Sequence, residues 1–384
     1  MSGFATPIFA ILAVIVSLLP VPSHWRARNF VILGLVFWLV VGNLNIFVNR
    51  IIWMSNAKNS APIWCDLSVK LMSMASFSLP CSALLISSKL YDIASLKYSK
   101  RTPEEKQRLW ILELFCITVL PVFYSLLTLV SQGHRFNIVY GRGCEPAVYF
   151  SSVSIVIDYG IPVSLCITSL VYSVLSLRHF FIHKKDFDAI LSKSGSGIST
   201  KKFLRMISFA LIDILINFPI LLAAFALEVS YMKIIPYTSW DFVHKRFSDV
   251  WIYPRTAISS SRFKHFLTMT SFATWSQCMM GFIFFFMFGL NTDIKSDYVK
   301  AFMKVKGMFH LKTQKATREY KDDNICSTDD ISDVSNHKSE DSNIHPDGVS
   351  VEFSHVDLEA SGHEASNYSI SIPSNDDTKT NRFA

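Results

Sequence analysis

Leu18-Leu19-Pro20-Val21-Pro22-Ser23-His24-Trp25-Arg26-Ala27-Arg28-Asn29 is a short polar break between two apolar runs, residues 4–19 and 30–53. Proline lacks the amide N–H and clashes with the preceding turn, so Pro20 and Pro22 are expected to stop a helix. Arg26 and Arg28 resist burial in hydrocarbon, and Trp25 suits the headgroup layer. The stretch therefore predicts a tight loop between two membrane-spanning helices, with both arginines on the cytoplasmic side.

Working outward, the whole chain has the same character. Of its 384 residues, 50% are hydrophobic and only 17% are charged, against about 25% charged in soluble proteins. The first residues lack the positive region of a secretory signal, so a retained first helix is expected. No lipidation motif stands at the C-terminus. Charge is unevenly placed: residues 321–384 carry 14 Asp or Glu against 4 Lys or Arg, and the rest of the chain is basic. The basic residues are split among loops, which excludes a nucleic-acid surface and fits anionic lipid and cytosolic partners. Seven cysteines include no CxxC spacing, so no zinc site is expected.

A spanning helix needs about 20 mainly apolar residues. Seven candidates occur, at residues 4–19, 30–52, 67–91, 109–130, 153–181, 203–227 and 266–290. The third is the weakest, with Lys70 and many serines. Its small residues Ser73, Ala75, Ser76, Ser78, Ser82 and Ala83 suit close helix packing at the bundle centre. Pro121, Pro162 and Pro219 lie inside later spans, where neighbouring helices re-satisfy freed carbonyls. The expected fold is an all-α membrane protein, a seven-transmembrane-helix bundle over residues 1–306. Residues 307–384, polar and acidic, are expected to be a disordered cytoplasmic tail. The one N-x-S/T sequon, at Asn367, would then stay unglycosylated.

Orientation follows from loop Lys and Arg. With the N-terminus outside, the inner loops carry 16 such residues and the outer loops 9. The aromatic and basic loop 228–265 reads as an interfacial hairpin, or alternatively as a lid over a lipid-like ligand. Loop 182–202 holds a flexible segment at residues 192–197.

No catalytic constellation is present: no HExxH, GxSxG, Walker loop or GxGxxG. The chain is read as a non-enzyme without a cofactor or metal. His24, His134, His179, His183, His244 and His265 read as surface histidines. Cys65 and Cys144 both fall outside the membrane on the extracellular side, where disulfides persist. A bridge there would pin a loop over a pocket mouth, and two free thiols are the alternative. Intramembrane polar groups are functional candidates, because they are expensive in lipid. Asn43, Asn45 and Asn49 lie in the outer half of the second span, Lys70 in that of the third, Asp158 and Tyr159 in that of the fifth. Lys70 and Asp158, at similar depth, could pair; structural pairing and ligand contact both stay open. Asp213 and Asn217 lie deeper in the sixth span, with Pro219 as a possible pivot.

These residues resemble the fungal mating-pheromone receptors of the a-factor type, the lipopeptide-sensing class D G-protein-coupled receptors. The resemblance rests on Leu19-Pro20-Val21-Pro22-Ser23-His24-Trp25-Arg26-Ala27-Arg28-Asn29, on Asn43-Leu44-Asn45, Val48-Asn49 and Trp53, and on Ala61-Pro62-Ile63-Trp64-Cys65-Asp66. It continues in Gly143-Cys144-Glu145-Pro146, Trp240-Asp241-Phe242-Val243-His244 and Phe247-Ser248, and covers about residues 5–300. The absence of Asp-Arg-Tyr after the third span and of Asn-Pro-x-x-Tyr in the seventh fits class D. The resemblance implies a multi-pass plasma-membrane receptor, N-terminus extracellular and C-terminus cytoplasmic. Its partners would be a farnesylated peptide pheromone, a heterotrimeric G protein feeding a mating kinase cascade, and membrane lipid.

In that frame Asn45, Asn49, Lys70, Asp158, Tyr159 and Trp240 are the expected ligand contacts. Arg26, Arg28, Lys201, Lys202 and Arg205 are the expected G-protein contacts, with anionic lipid as their alternative partner. A transporter is the rival reading, but it would be expected to carry internal repeats, and none is visible.

Overall fold

A computed structural model describes residues 4–193, 198–258 and 261–290, together with Met303. Lys295, Lys300, Lys304 and Lys306, the tail with Cys326 and Asn367, most of the 192–197 segment, and the side chains of Arg262 and His265 lie outside the described residues.

Helices α1 (Ala5–Leu18) and α2 (Val21–Arg26) precede α3 (Phe30–Ile52), α4 (Pro62–Ala94), α5 (Lys97–Lys100) and α6 (Pro103–Leu127). Strands β1 (His134–Val139) and β2 (Gly143–Glu145) follow. Next come α7 (Ser152–Ser154), a π-helical segment Ile155–Gly160, α8 (Ile161–Ile182), α9 (Phe187–Lys193) and α10 (Thr200–Tyr231). The chain continues through α11 (Trp240–His244), β3 (Arg246–Tyr253), α12 (Arg255–Ile258) and α13 (Ser261–Phe284), which ends in a second π-helical segment, Phe285–Gly289.

Among the described residues, seven segments are long and apolar enough to cross a membrane: Ala5–Arg26, Phe30–Ile52, Pro62–Ala94, Pro103–Leu127, Ser152–Ile182, Thr200–Tyr231 and Thr270–Gly289. The fold is a seven-helix membrane bundle. Large apolar side chains such as Ile8, Phe123, Val174 and Leu215 are exposed on its outside, as a lipid-facing surface requires.

The opening break is more ordered than a tight loop. α1 does end at Leu18, but Pro20 and Val21 start a new helical turn rather than leaving the helical region. Pro22 falls in the first turn of α2, where an amide N–H has no intrahelical acceptor to lose. The Ser23 hydroxyl and its amide both donate to the Pro20 carbonyl, at 2.9 and 3.2 Å. Arg28 closes the turn with φ of 50°. His24 is not a surface histidine: it is buried, its ring 5.4 Å from that of Phe288.

α4 packs against α3, α6, α8 and α10, which puts it at the bundle centre. Its buried small residues allow this approach, and Ser87 hydrogen-bonds Ser169 and Ser173 of α8 at 3.3 and 2.8 Å. α3 is fixed to α6 by Trp38, whose indole N–H donates to the Ile117 carbonyl at 2.8 Å. At the start of the fifth span, Pro162 has no amide to offer the Asp158 carbonyl, and the ladder widens there into the π-helical turns.

One end of the bundle carries a three-stranded sheet, order β2-β1-β3. β1 and β2 form an antiparallel hairpin, with Ile138 opposite Cys144. β3 pairs parallel to β1, with Phe136 opposite Val250 and Val139 opposite Tyr253. Loop 228–265 is therefore not a hairpin of its own: its central part is an edge strand on a sheet begun by an earlier loop. Beneath the sheet a small core gathers Trp53, Cys65, Val69, Phe136, Ile138 and Cys144. Cys65 and Cys144 are joined as a disulfide, with Cα atoms 5.3 Å apart.

Candidate functional site

The sheet end holds a cavity of about 370 Å³, lined on the bundle side by Asp66, Val69, Lys70, Leu129 and Gln132. Arg135 of β1 and Phe247 and Ser248 of β3 complete the wall. The disulfide sits about a turn and a half before Lys70 along α4 and fixes the β1–β2 hairpin to that helix.

Polar contacts within the wall are specific. The Lys70 ammonium donates to Gln132 Oε1 at 2.7 Å. Gln132 Nε2 donates to the carbonyls of His134 and Arg135, at 3.1 and 2.6 Å. Arg135 forks onto Asp66, Nε to Oδ1 at 2.9 Å and Nη2 to Oδ2 at 2.6 Å. That carboxylate holds the Arg135 guanidinium above its ordinary pKa. His134 is buried, stacks on Trp251 at 4.1 Å and hydrogen-bonds Asn137 Oδ1 at 2.7 Å. Burial lowers its pKa, an effect that the Asn137 bond opposes.

Of the six expected ligand contacts, only Lys70 lines this cavity. Lys70 and Asp158 do not pair; the lysine is taken by Gln132, and Asp158 accepts instead from the Ser131 hydroxyl at 3.4 Å. Asp158 and Tyr159 form a second group, interacting with Glu228 of α10, while the Tyr159 ring meets Phe225 at 5.2 Å. Asn45 and Asn49 are buried rivets between α3 and α4. Asn45 Nδ2 donates to the Ser68 carbonyl at 3.1 Å, and Asn49 Nδ2 to the Ser68 hydroxyl at 2.7 Å. The Trp64 indole N–H donates to Asn49 Oδ1 at 3.1 Å. Trp240 is exposed and stacks on His244 at 3.8 Å; the His244 ring in turn bonds the Leu129 carbonyl at 2.9 Å, so it is a clasp between loops rather than a loose surface group.

Asp66, Gln132, Arg135, Phe247 and Ser248 were not singled out from sequence as ligand contacts. Asp66 and Phe247-Ser248 did stand inside the family-like motifs. Nothing local marked Gln132 or Arg135. Glu228 was not singled out either, and α10 brings it to the Asp158–Tyr159 pair.

At the opposite end, His24 of α2 and Phe209 of α10 meet the same two rings, Phe284 and Phe288. Arg26, Arg28 and Lys201 are exposed and Lys202 and Arg205 half-buried. Arg205 Nε reaches the Lys201 carbonyl at 3.4 Å. The five expected G-protein contacts thus lie at one end of the bundle, away from the sheet. Among the described residues, no cluster of three or more His, Cys, Asp or Glu could hold a metal ion.

Comparison with known proteins adds the family. The family model described as Pheromone A receptor matches residues 5–306. The chain is 33% identical over 301 residues to Pheromone receptor 1 of Mycosarcoma maydis, covering 77% of this chain and 83% of that protein. It is 34% identical over 296 residues to the Pheromone B alpha 3 receptor of Schizophyllum commune, covering 77% of this chain and 47% of that receptor, so it spans about half the latter's length. It is also 25% identical over 305 residues to the Pheromone a factor receptor of Saccharomyces cerevisiae, with 78% and 62% covered. The seven spans and these matches agree: the chain belongs to the pheromone A receptor family of fungal mating receptors.

Proposed function

We propose that the protein is a plasma-membrane, G-protein-coupled receptor for a farnesylated peptide mating pheromone, and that it drives a heterotrimeric G protein and a mating kinase cascade. Residues 1–306 form the receptor and residues 307–384 an acidic cytoplasmic tail. The observation that carries this reading is the cavity under the sheet in a chain of this family. It has the size of a ligand pocket and is walled by three segments that a ligand would draw together. The Cys65–Cys144 disulfide supports the sheet end as extracellular, because such bonds persist in oxidising compartments.

The peptide occupies the cavity, and its lipid lies in the bilayer against the exposed apolar helix faces. A ligand shifts a two-state receptor only by binding one state better than the other. Here the gain comes from ordering β3 against α4 and β1, which favours the helix arrangement that receives the G protein at the Arg26, Arg28, Lys201, Lys202 and Arg205 end.

The test is a transcriptional reporter in mating-competent yeast cells expressing this chain, challenged with farnesylated and unlipidated forms of the same peptides. Activation by farnesylated peptides, and a far weaker response to unlipidated ones, is expected. Equal responses to both would remove lipid recognition, and no response to any peptide would remove the receptor reading.

A further inference from the structure

Two cations, Lys70 and Arg135, and one carboxylate, Asp66, line the cavity. The Lys70 ammonium has three N–H donors, and one goes to Gln132 Oε1 at 2.7 Å. The orientation of that amide is set from behind, since its NH₂ group is committed to the His134 and Arg135 carbonyls. Gln132 therefore presents its oxygen to Lys70, and this partner is neutral. The carboxylates nearby, Asp66 and Asp158, attract Lys70 from a distance, but neither contacts its ammonium. Asp66 is held by both nitrogens of the Arg135 fork. Asp158 accepts from Ser131 and acts on Lys70 only from beyond ion-pair distance. Among the described residues, no carboxylate stands within ion-pair distance of Lys70.

A half-buried cation with unused donors at a cavity wall favours an anionic oxygen over a neutral one, since a carbonyl satisfies the hydrogen bond but supplies no contacting counter-ion. The remaining wall suits a short acidic group flanked by apolar atoms: Val69 and Leu129 on one side, Phe247 with the Ser248 hydroxyl on the other. Resting on the pheromone-receptor reading above, we propose that the cavity recognises a carboxylate of the peptide ligand and that Lys70 is the specificity-determining residue for it. The carboxylate comes from an Asp or Glu side chain or from a free peptide C-terminus, which offer Lys70 the same chemistry.

The experiment uses cells expressing the full chain with a G-protein reporter and an epitope tag to measure surface level. The probes are farnesylated peptide pools of one length, with Asp scanned through each position, against pools with Asn or Lys at the same positions. Each pool is made as the C-terminal methyl ester and as the free acid. The wild type is expected to respond to a carboxylate-bearing pool at about tenfold lower concentration than to its neutral counterpart, in line with a charge-assisted hydrogen bond. The Asp–Asn comparison assigns the preference to a side chain, and the acid–ester comparison to the C-terminus. Lys70→Gln removes the preference, Lys70→Arg keeps it, and Lys70→Glu moves it toward Lys-bearing peptides. Equal wild-type potency of acidic and neutral pools overturns the proposal without needing any variant. A preference that survives unchanged in Lys70→Gln overturns it too. Failure of every farnesylated pool to activate the wild type removes the receptor reading itself, and this proposal with it.

Discussion

Arg142 is 9% exposed and ties two elements, β2 and α13, together through one side chain. Its Nε bonds Glu145 Oε1 at 2.9 Å, and Nη1 and Nη2 reach the Ser271 and Thr274 hydroxyls of α13 at 3.0 and 3.5 Å. The hairpin between β1 and β2 is thereby held to the last span. Removing one partner of a buried ion pair leaves the other charge unmatched, which costs about 3–5 kcal/mol. Arg142→Met should therefore sharply lower the thermal unfolding midpoint of the detergent-solubilised receptor, and adding Glu145→Met should restore most of the loss. An unchanged midpoint in the single variant would show that the pair carries no load. In the sequence, Arg142 was one more outer-loop cation. Its partners on α13 lie 129 and 132 residues away, and no local pattern announces them. Asn49 illustrates the opposite case: its place among the polar residues in the outer half of the second span was visible. What sequence could not tell was that Ser68 and Trp64 consume its hydrogen bonds, so that it rivets two helices and does not line the cavity.

The elements follow the same division. The seven spans were legible because each must satisfy its own backbone within about 20 apolar residues, a constraint that needs no partner. Their ends drifted: α4 begins at Pro62 and ends at Ala94, wider than the apolar count, because helix continues where hydrophobicity stops. The sheet was not legible. β3 pairs in parallel with a strand from another loop, and residues 246–253 offer no clean alternation of apolar and polar types. His134 makes this sheet sensitive to acid. Burial holds its folded-state pKa below the ordinary 6.5, against which the Asn137 bond and Asp249 pull upward and Arg246 downward. The unfolded chain then binds the proton more readily, so His134 leaves the sheet unpenalised above about pH 6.5 and subtracts stability as pH falls below that value. Hydrogen exchange at β1 and β3 amides, corrected for intrinsic rate, should show less protection at pH 5 than at pH 7.5. His134→Phe should flatten that difference, and a difference that persists in the variant would assign it to another group.

For the whole molecule, the opening break was read correctly as a boundary between spans and incorrectly as plain loop, because prolines that end one helix can seed the next. The end it marks also holds the cations of α10. If that end meets the G protein, Lys201→Ala with Lys202→Ala should lower pheromone-driven reporter output about tenfold at equal surface level, since charged contacts at such a surface govern encounter as well as affinity. Full output from the double variant would assign these lysines to lipid alone. The same arrangement requires tags placed beside Arg28 and after Ala384 to be protected together in intact cells and exposed together on permeabilisation.

The parallel pairing of β1 with β3 also has a history built into it. A ribosome releases β1 well before β3, with two spans still to be made between them and α13 yet to follow. Through that interval β1 shows a bare backbone edge, the kind of surface that other extended segments add to. Arrival of Val250, Ile252 and Tyr253 hides it. Closing the sheet is thus a late step of biosynthesis, and a chain halted before Tyr253 would leave the factory with its edge still open to chaperones that grip extended polypeptide.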